Sequence, residues 1–235
     1  MQSDSQNTAS YSEEAIRAET EKLVGLCQAR KEQVKGLLVY LEKAGFYSAP
    51  ASAAYHNNHC GGLAGHAINV TRVLLTIKHR LLAVQPWPDA QFEWMGDAAK
   101  VQLPQISDES CIIVGLFHDV HKVTDGFGRA CYVPNVGKGG KVSEAKPYEH
   151  NKESMAFSGS CKSALIVEKF IELKEHELQA IVYHDGQYVP AGREVAMKEH
   201  PLTLMLHFAD MWSAALIEDE NSWLYRPISE LSFLK

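Results

Sequence analysis

The chain has no CxxC pair, and its five cysteines (Cys27, Cys60, Cys111, Cys131 and Cys161) are scattered and odd in number. That spacing excludes a cysteine zinc knuckle and speaks against a disulfide framework. Reduced thiols in a cytoplasmic compartment are the expectation. Long apolar runs are also missing. CIIVGLF, over 111–117, falls far short of the roughly 18 residues a spanning helix needs, so no membrane association is expected. The opening MQSDSQNTASYSEE is polar and holds no apolar segment of a signal peptide. Positive charge is in short supply: the net charge is -6 and the pI about 6.0. That balance argues against a dedicated nucleic-acid coat but leaves room for a local basic groove. There is no internal repeat and no low-complexity segment.

What is present suits an ordinary globular protein. The 235 residues, 46% hydrophobic and 22% charged, can build one good-sized domain or two small ones. Residues 1–11 read as a disordered polar tail. Residues 12–45 read as an N-terminal helical segment. Ser12 is placed to cap it, Glu13 and Glu14 suit its start, Gly45 can end it, and a break is expected near Gly25 or Gly36. Pro, Ser, Asn and Gly make 46–62 a loop. A strong helix is expected over 63–84, with His66, Asn69 or Val70, Val73 and Ile77 on one stripe. The stretch 85–105 is less regular, with room for a short helix before Pro104. Ser107 can cap a helix over 107–123. ACYV and KVSEA, flanking GKGG within 124–151, predict two short strands and a hairpin turn. Helices follow over 162–171, 174–186 and 201–219, the last with Pro201 in its first turn. Residues 220–235 form a C-terminal extension. The expected class is all-α, a helical bundle with a small β-hairpin insertion, its main domain over 46–219.

Four polar residues stand out because their helices are otherwise apolar on the same face. His66 follows GGLAG, His118 and Asp119 end CIIVGLF, and Asp210 sits within MLHFADMW. Each alone has a plain reading, as an ordinary helix histidine, a chance dipeptide or a buried partner of an Arg or His. Together, on three helices, they ask for a common cause, since a buried carboxylate is costly unless paired or bound to a cation. One divalent ion held by two imidazoles and two carboxylates would satisfy all four. The mixed nitrogen and oxygen set suits Mn, Fe, Co, Ni or Zn rather than Ca or Mg.

The order His66, then His118 with Asp119, then Asp210 resembles that of the HD superfamily of metal-dependent phosphohydrolases, which are helical. SAPASAAYHNNHCGGLAGHAINV is similar to the family's lead-in loop and first ligand helix, where GGL, two further residues and His are typical. VGLFHDVHKV resembles its second ligand helix, and AIVYHDG and MLHFADMWSA its later ones, so the likeness spans roughly 46–218. It implies an HD-domain fold and assigns His66, His118, Asp119 and Asp210 as metal ligands. Lys122 stands one turn after the HD pair, where the family often places Lys or Glu. One feature departs from the pattern. Members with two metals carry a Gly-His between the HD helix and the next histidine; here the stretch reads FSGSCKSAL, with Gly159 or Ser160 where that His would stand. His184 matches the later second-metal histidine without this companion, and His150 could substitute only if its loop folds back. One ion per chain is therefore expected. His184 then becomes a phosphate contact or proton carrier, although a surface histidine beside Asp185 is the plainer reading.

The chemistry implied is hydrolysis of a phosphate ester or anhydride by cation-activated water, with Asp119, Lys122 and His184 as catalytic groups. Asp119 would also orient the water, and Lys122 and His184 would meet phosphoryl oxygens. His56 and Asn57, in the lead-in loop, are candidate substrate contacts. The acidic chain favours a small nucleotide as substrate. Nucleic acid is the rival and predicts salt-sensitive binding. A degenerate HD binding module is a further alternative, and a di-iron oxygenase has the missing histidine against it. His207 could orient a ligand carboxylate or simply pack. His59, His79, His121, His176 and His200 read as surface or supporting groups. Arg129, Lys138, Lys141 and Lys146 form either a rim for a polyanion or a solvated loop.

Overall fold

The computed structural model describes residues 12–82 and 105–218. The expected tail over 1–11, almost all of the 85–105 stretch and the extension over 220–235 lie outside the described residues. The fold is mostly helical, with a single two-stranded sheet among the described residues. Helix α1 (Glu13–Gly25) starts where Ser12 Oγ accepts from the Ala15 amide at 3.2 Å. The break falls at Gly25. Helix α2 (Lys31–Ala44) runs through Gly36 and ends at Gly45, whose left-handed φ of 103° a side chain would oppose. Val34, Leu37 and Leu41 on α2 are buried at helical spacing against the core.

Helix α3 (Gly62–Ile77) continues into a π-helical turn over Lys78–Leu82. Helix α4 (Asp108–Phe117), capped by Ser107, is buried from Ser110 to Phe117, as its apolar composition on every side requires. Helices α5 (Gly159–Glu168), α6 (Glu175–Tyr183) and α7 (Pro201–Trp212) follow, and α7 passes into a second π-helical turn over Ser213–Glu218. Helix α3 packs on both α4 and α7, and α6 lies between α5 and α7. The crossing of α3 and α4 is close. A Cβ on Gly115 would sit 2.9 Å from Thr71 Cα, so only glycine lets the two backbones meet here. Arg30, just before α2, joins three elements: its side chain meets Glu109 of α4 at 3.1 Å and Glu177 of α6 at 2.6 Å.

Two elements differ from the sequence-based expectation. The helix expected over 107–123 stops at Phe117, and Asp119 (φ -112°, ψ 15°) leaves it before a 3-10 turn over Val120–Lys122. The His118 ring explains the stop. Its Nδ1 takes the Gly115 carbonyl at 2.9 Å, the acceptor that the residue 119 amide would use in a continuing helix. The hairpin also pairs differently. Strand β1 (Tyr132–Pro134) overlaps the expected ACYV, but β2 is Tyr148–His150, in antiparallel register with Tyr132 opposite His150. GKGG does turn, with a bridge between Val136 and Val142, yet KVSEA is largely exposed and forms no strand. Tyr148 instead ties the ladder to the lead-in loop through the Ala53 carbonyl at 3.4 Å.

Candidate metal centre

The middle of α3, the end of α4 and the end of α7 converge on one point. His66 and His118 are fully buried, and Asp119 is 5% exposed. Asp119 has left the helix, and its carboxylate lies near both rings. His66 Nε2 lies 3.0 Å from Asp210 Oδ1 and 3.9 Å from Asp119 Oδ2. His118 Nε2 lies 3.5 Å from Asp119 Oδ2 and 4.0 Å from Asp210 Oδ1. The ligand atoms of His66, His118 and Asp210 are all within 4.8 Å of one another, as are those of His118, Asp119 and His184. This buried histidine and aspartate cluster could hold a metal ion.

Hydrogen bonds at the far side of each ring set the direction of its free nitrogen. Nδ1 of His66 bonds the Glu218 carboxylate at 2.9 Å, Nδ1 of His118 the Gly115 carbonyl at 2.9 Å, and Nδ1 of His184 the Ile181 carbonyl at 2.8 Å. An acceptor at Nδ1 places the proton there and turns Nε2 inward. Nε2 of both His66 and His118 is buried without a hydrogen-bond partner. Asp210 Oδ1 approaches His66 Nε2 to 3.0 Å, a charge contact that leaves the nitrogen without a hydrogen bond. Two orphaned buried nitrogens facing two carboxylates fit a cation better than any pairing within the protein.

The electrostatics agree with the donor set. The Asp119 and Glu218 side chains are buried and that of Asp210 is half-buried, and the ammonium beside them is Lys122, whose Nζ is 2.5 Å from Asp119 Oδ2. With neutral imidazoles the excess is two negative charges, the amount a divalent cation balances. Burial alone would raise the Asp119 carboxyl, but Lys122 and His118 outweigh it and hold it well below its usual value. Burial pushes His118 down to about 4, so its Nε2 lone pair stays bare. Burial also opposes charge on His66, yet Glu218 and Asp210 prevail and lift it to about 10. His184 rises against burial to about 9 through Asp119, 3.6 Å away. The carboxylates thus recruit protons onto His66 and His184 where a metal could serve instead.

The other expected site residues divide. Lys122 sits on Asp119, and His184 joins the ligand cluster, buried rather than on the surface. His56 reaches the centre: its ring lies 5.0 Å from that of His66, and its Nε2 is buried without a partner. Asn57 does not line the cavity beside Asp210. Its backbone is left-handed at φ 45°, and its carbonyl accepts from the Ala51 amide, so it shapes the lead-in loop. His207 bonds the His184 carbonyl at 2.7 Å instead of a ligand carboxylate. His150 lies on β2 beside Tyr132, away from the cluster. Arg129 pairs with Asp125 at 2.7 Å, and Lys138, Lys141 and Lys146 are exposed on the hairpin.

One residue escaped sequence reasoning, and a second was left between two readings. Glu218 orients His66 while its other oxygen accepts from Asn69 at 2.8 Å. Its signal was the first carboxylate after Asp210, two turns on along an apolar stretch, brought round by the π-helical turn, a feature frequent at functional sites. His121, half-buried, takes the supporting alternative of its reading: Nδ1 is 3.0 Å from Ser163 Oγ and 3.7 Å from Asp119 Oδ1. Its ring fills the space over Gly159, where a Cβ would lie 2.4 Å from Nε2. No protein-family model matches the chain, and no curated protein or solved structure matches it either.

Proposed function

We propose that the protein is a metal-dependent phosphohydrolase of the HD type, cleaving a phosphate ester or anhydride of a nucleotide. The observation that carries this reading is the pair of orphaned Nε2 atoms, on His66 and His118, aimed at Asp119 and Asp210. Those four residues would hold one divalent ion, Mn, Co, Ni, Fe or Zn by the softness of the donor set. When bound, the cation supplies Lewis acidity and lowers the pKa of water from 15.7 toward about 7.

The chain's own groups supply the rest. The Asp119 carboxylate is held ionised, so it can accept a hydrogen bond from the attacking water and orient it. Lys122 stays charged, because Asp119 and other nearby acids outweigh the cost of burying it, and it can meet a phosphoryl oxygen. His184 Nε2, 3.6 Å from Asp119, is placed to carry a proton to or from that carboxylate. Glu218 keeps His66 in the tautomer the centre needs.

Elemental analysis of the purified chain, followed by nucleotides and p-nitrophenyl phosphate with Mn, Co or Ni added, tests the proposal. One equivalent of metal and turnover of a phosphoester are expected, and Asp119→Ala should lose both. Bound metal with no turnover of any phosphoester would leave a binding module, and an Asp119→Ala chain as active as wild type would sink the mechanism.

A further inference from the structure

Resting on that reading, we propose that the substrate is a nucleoside 5′-monophosphate whose base occupies the cleft between the 186–195 turns and α7. A cavity of about 320 Å³ opens beside Asp210 and is walled by His56, Asp185 and Tyr188. A second, of about 470 Å³, adjoins it and shares Tyr188, His207 and Met211. Both volumes fall in the range of small-molecule sites. They form one path that starts at a candidate metal ligand and ends among aromatic side chains.

The far end of this path suits a planar ring. Tyr188 is 78% exposed and Phe208 52% exposed, large apolar surfaces left open on the cavity wall. Tyr188 does not wave freely. Its hydroxyl contacts Met211 Sδ at 3.6 Å, and its ring lies 5.8 Å from His207, which the His184 carbonyl fixes in turn. A fixed and exposed aromatic face is what a base stacks on, whatever its identity.

Charge limits the rest of the ligand. None of the described residues lining either cavity is a lysine or arginine, while Asp185 and Glu199 supply carboxylates. A di- or triphosphate laid across the path would find no counter-charge, and a nucleic-acid strand would find no cations for its backbone. A single phosphate at the metal centre, with the uncharged sugar and base trailing into a cleft that holds no cation, meets neither obstacle. The reaction is then hydrolysis of a monoester. The water oxygen forms a bond to phosphorus, the bond from phosphorus to O5′ breaks, and O5′ takes a proton, releasing nucleoside and inorganic phosphate.

The full chain with added Mn would be assayed on the four common nucleoside 5′-monophosphates and on ribose 5-phosphate, the same ester without a base. KM for at least one nucleotide should lie roughly tenfold or more below that for ribose 5-phosphate. Tyr188→Ala should bring the two KM values toward equality, and Tyr188→Phe, which keeps the ring, should restore the difference. A second readout needs no metal: saturation-transfer NMR of the four nucleosides with the chelated chain should show binding that Tyr188→Ala abolishes. Equal KM values with no nucleoside bound would overturn the base site while leaving phosphoester hydrolysis intact. Nucleoside binding that depends on Tyr188, without turnover of any ester, would support the base site and sink the hydrolytic reading.

Discussion

Two buried charged clusters sit in this bundle, and they are built on opposite plans. In the first, the Arg30 side chain reaches Glu109 and Glu177 and gives a further hydrogen bond to the Glu172 carbonyl, and its backbone amide donates to Glu109. Donors and acceptors are matched, so the cluster joins α2, α4 and α6 and asks for nothing more. In the second, His66, His118, Asp119 and Asp210 lie within contact, yet two nitrogens have no partner. Buried polarity is common to both. What separates a structural cluster from a candidate site is an unmet lone pair, since burying one without return costs about 1–3 kcal/mol.

The comparison can be broken from either side. The largest expected effect is at the second cluster. Asp119→Ala should lower hydrolysis on the order of 10³-fold, a loss of the size seen when transition-state charge stabilisation is removed. Kinetics together with metal content would check it, and retained metal would contradict the assigned ligand set. Arg30→Ala should act on the fold instead. It leaves the Glu177 carboxylate buried without its partner, at a cost of about 3–5 kcal/mol, read as a lowered denaturation midpoint. The fraction that remains folded should still take up metal. If Arg30→Ala removed metal from folded protein, the two clusters would not be independent.

Smaller effects sharpen the contrast. Glu218→Gln keeps the shape but weakens the hold on the His66 tautomer, so metal affinity should fall roughly 10- to 100-fold by titration, with the fold intact. Retained affinity would place Glu218 outside the centre's function.

The pH dependences run in opposite directions. His66 and His184 are raised, to about 10 and about 9, in the metal-free chain. Their contribution to stability is full below the ordinary histidine value and is lost as pH rises through 9 to 10. Melting of the chelated chain should therefore fall across that range, while added cation replaces the protons and flattens the loss. Glu177 is lowered: burial opposes its charge, but the Arg30 hydrogen bonds outweigh it. Its contribution is present above the usual carboxylate value and fades as pH falls through the lower folded one. Acid should thus weaken the Arg30 cluster and alkali the metal-free centre, and a common pH response would refute the distinction.

Much of this was legible from local chemistry. Ser12, Ser107 and Pro201 start helices where their side chains dictate, and Gly45 stops α2 by its backbone freedom. His66, His118, Asp119 and Asp210 were conspicuous as polar groups on apolar faces, and the structure brings them together. Other features depended on distant partners. His121 reads as either a surface or a supporting group, and Gly159 of α5, which leaves space for its ring, decides for the second. The bond from the Ala51 amide to the Asn57 carbonyl, which shapes the lead-in loop, is equally invisible in the sequence. The strand that pairs with Tyr132–Pro134 is Tyr148–His150, beyond the nearby turn, and it also touches the lead-in loop through Ala53.

The amino-acid sequence by itself determined where helices begin, which faces are apolar, and which polar side chains have no business among them, because caps and periodicity act within a few residues. Only the tertiary structure decided which of those side chains meet and which nitrogens stay unpaired. Hydrogen-bond satisfaction is settled between groups from different helices, and no stretch of chain carries it alone.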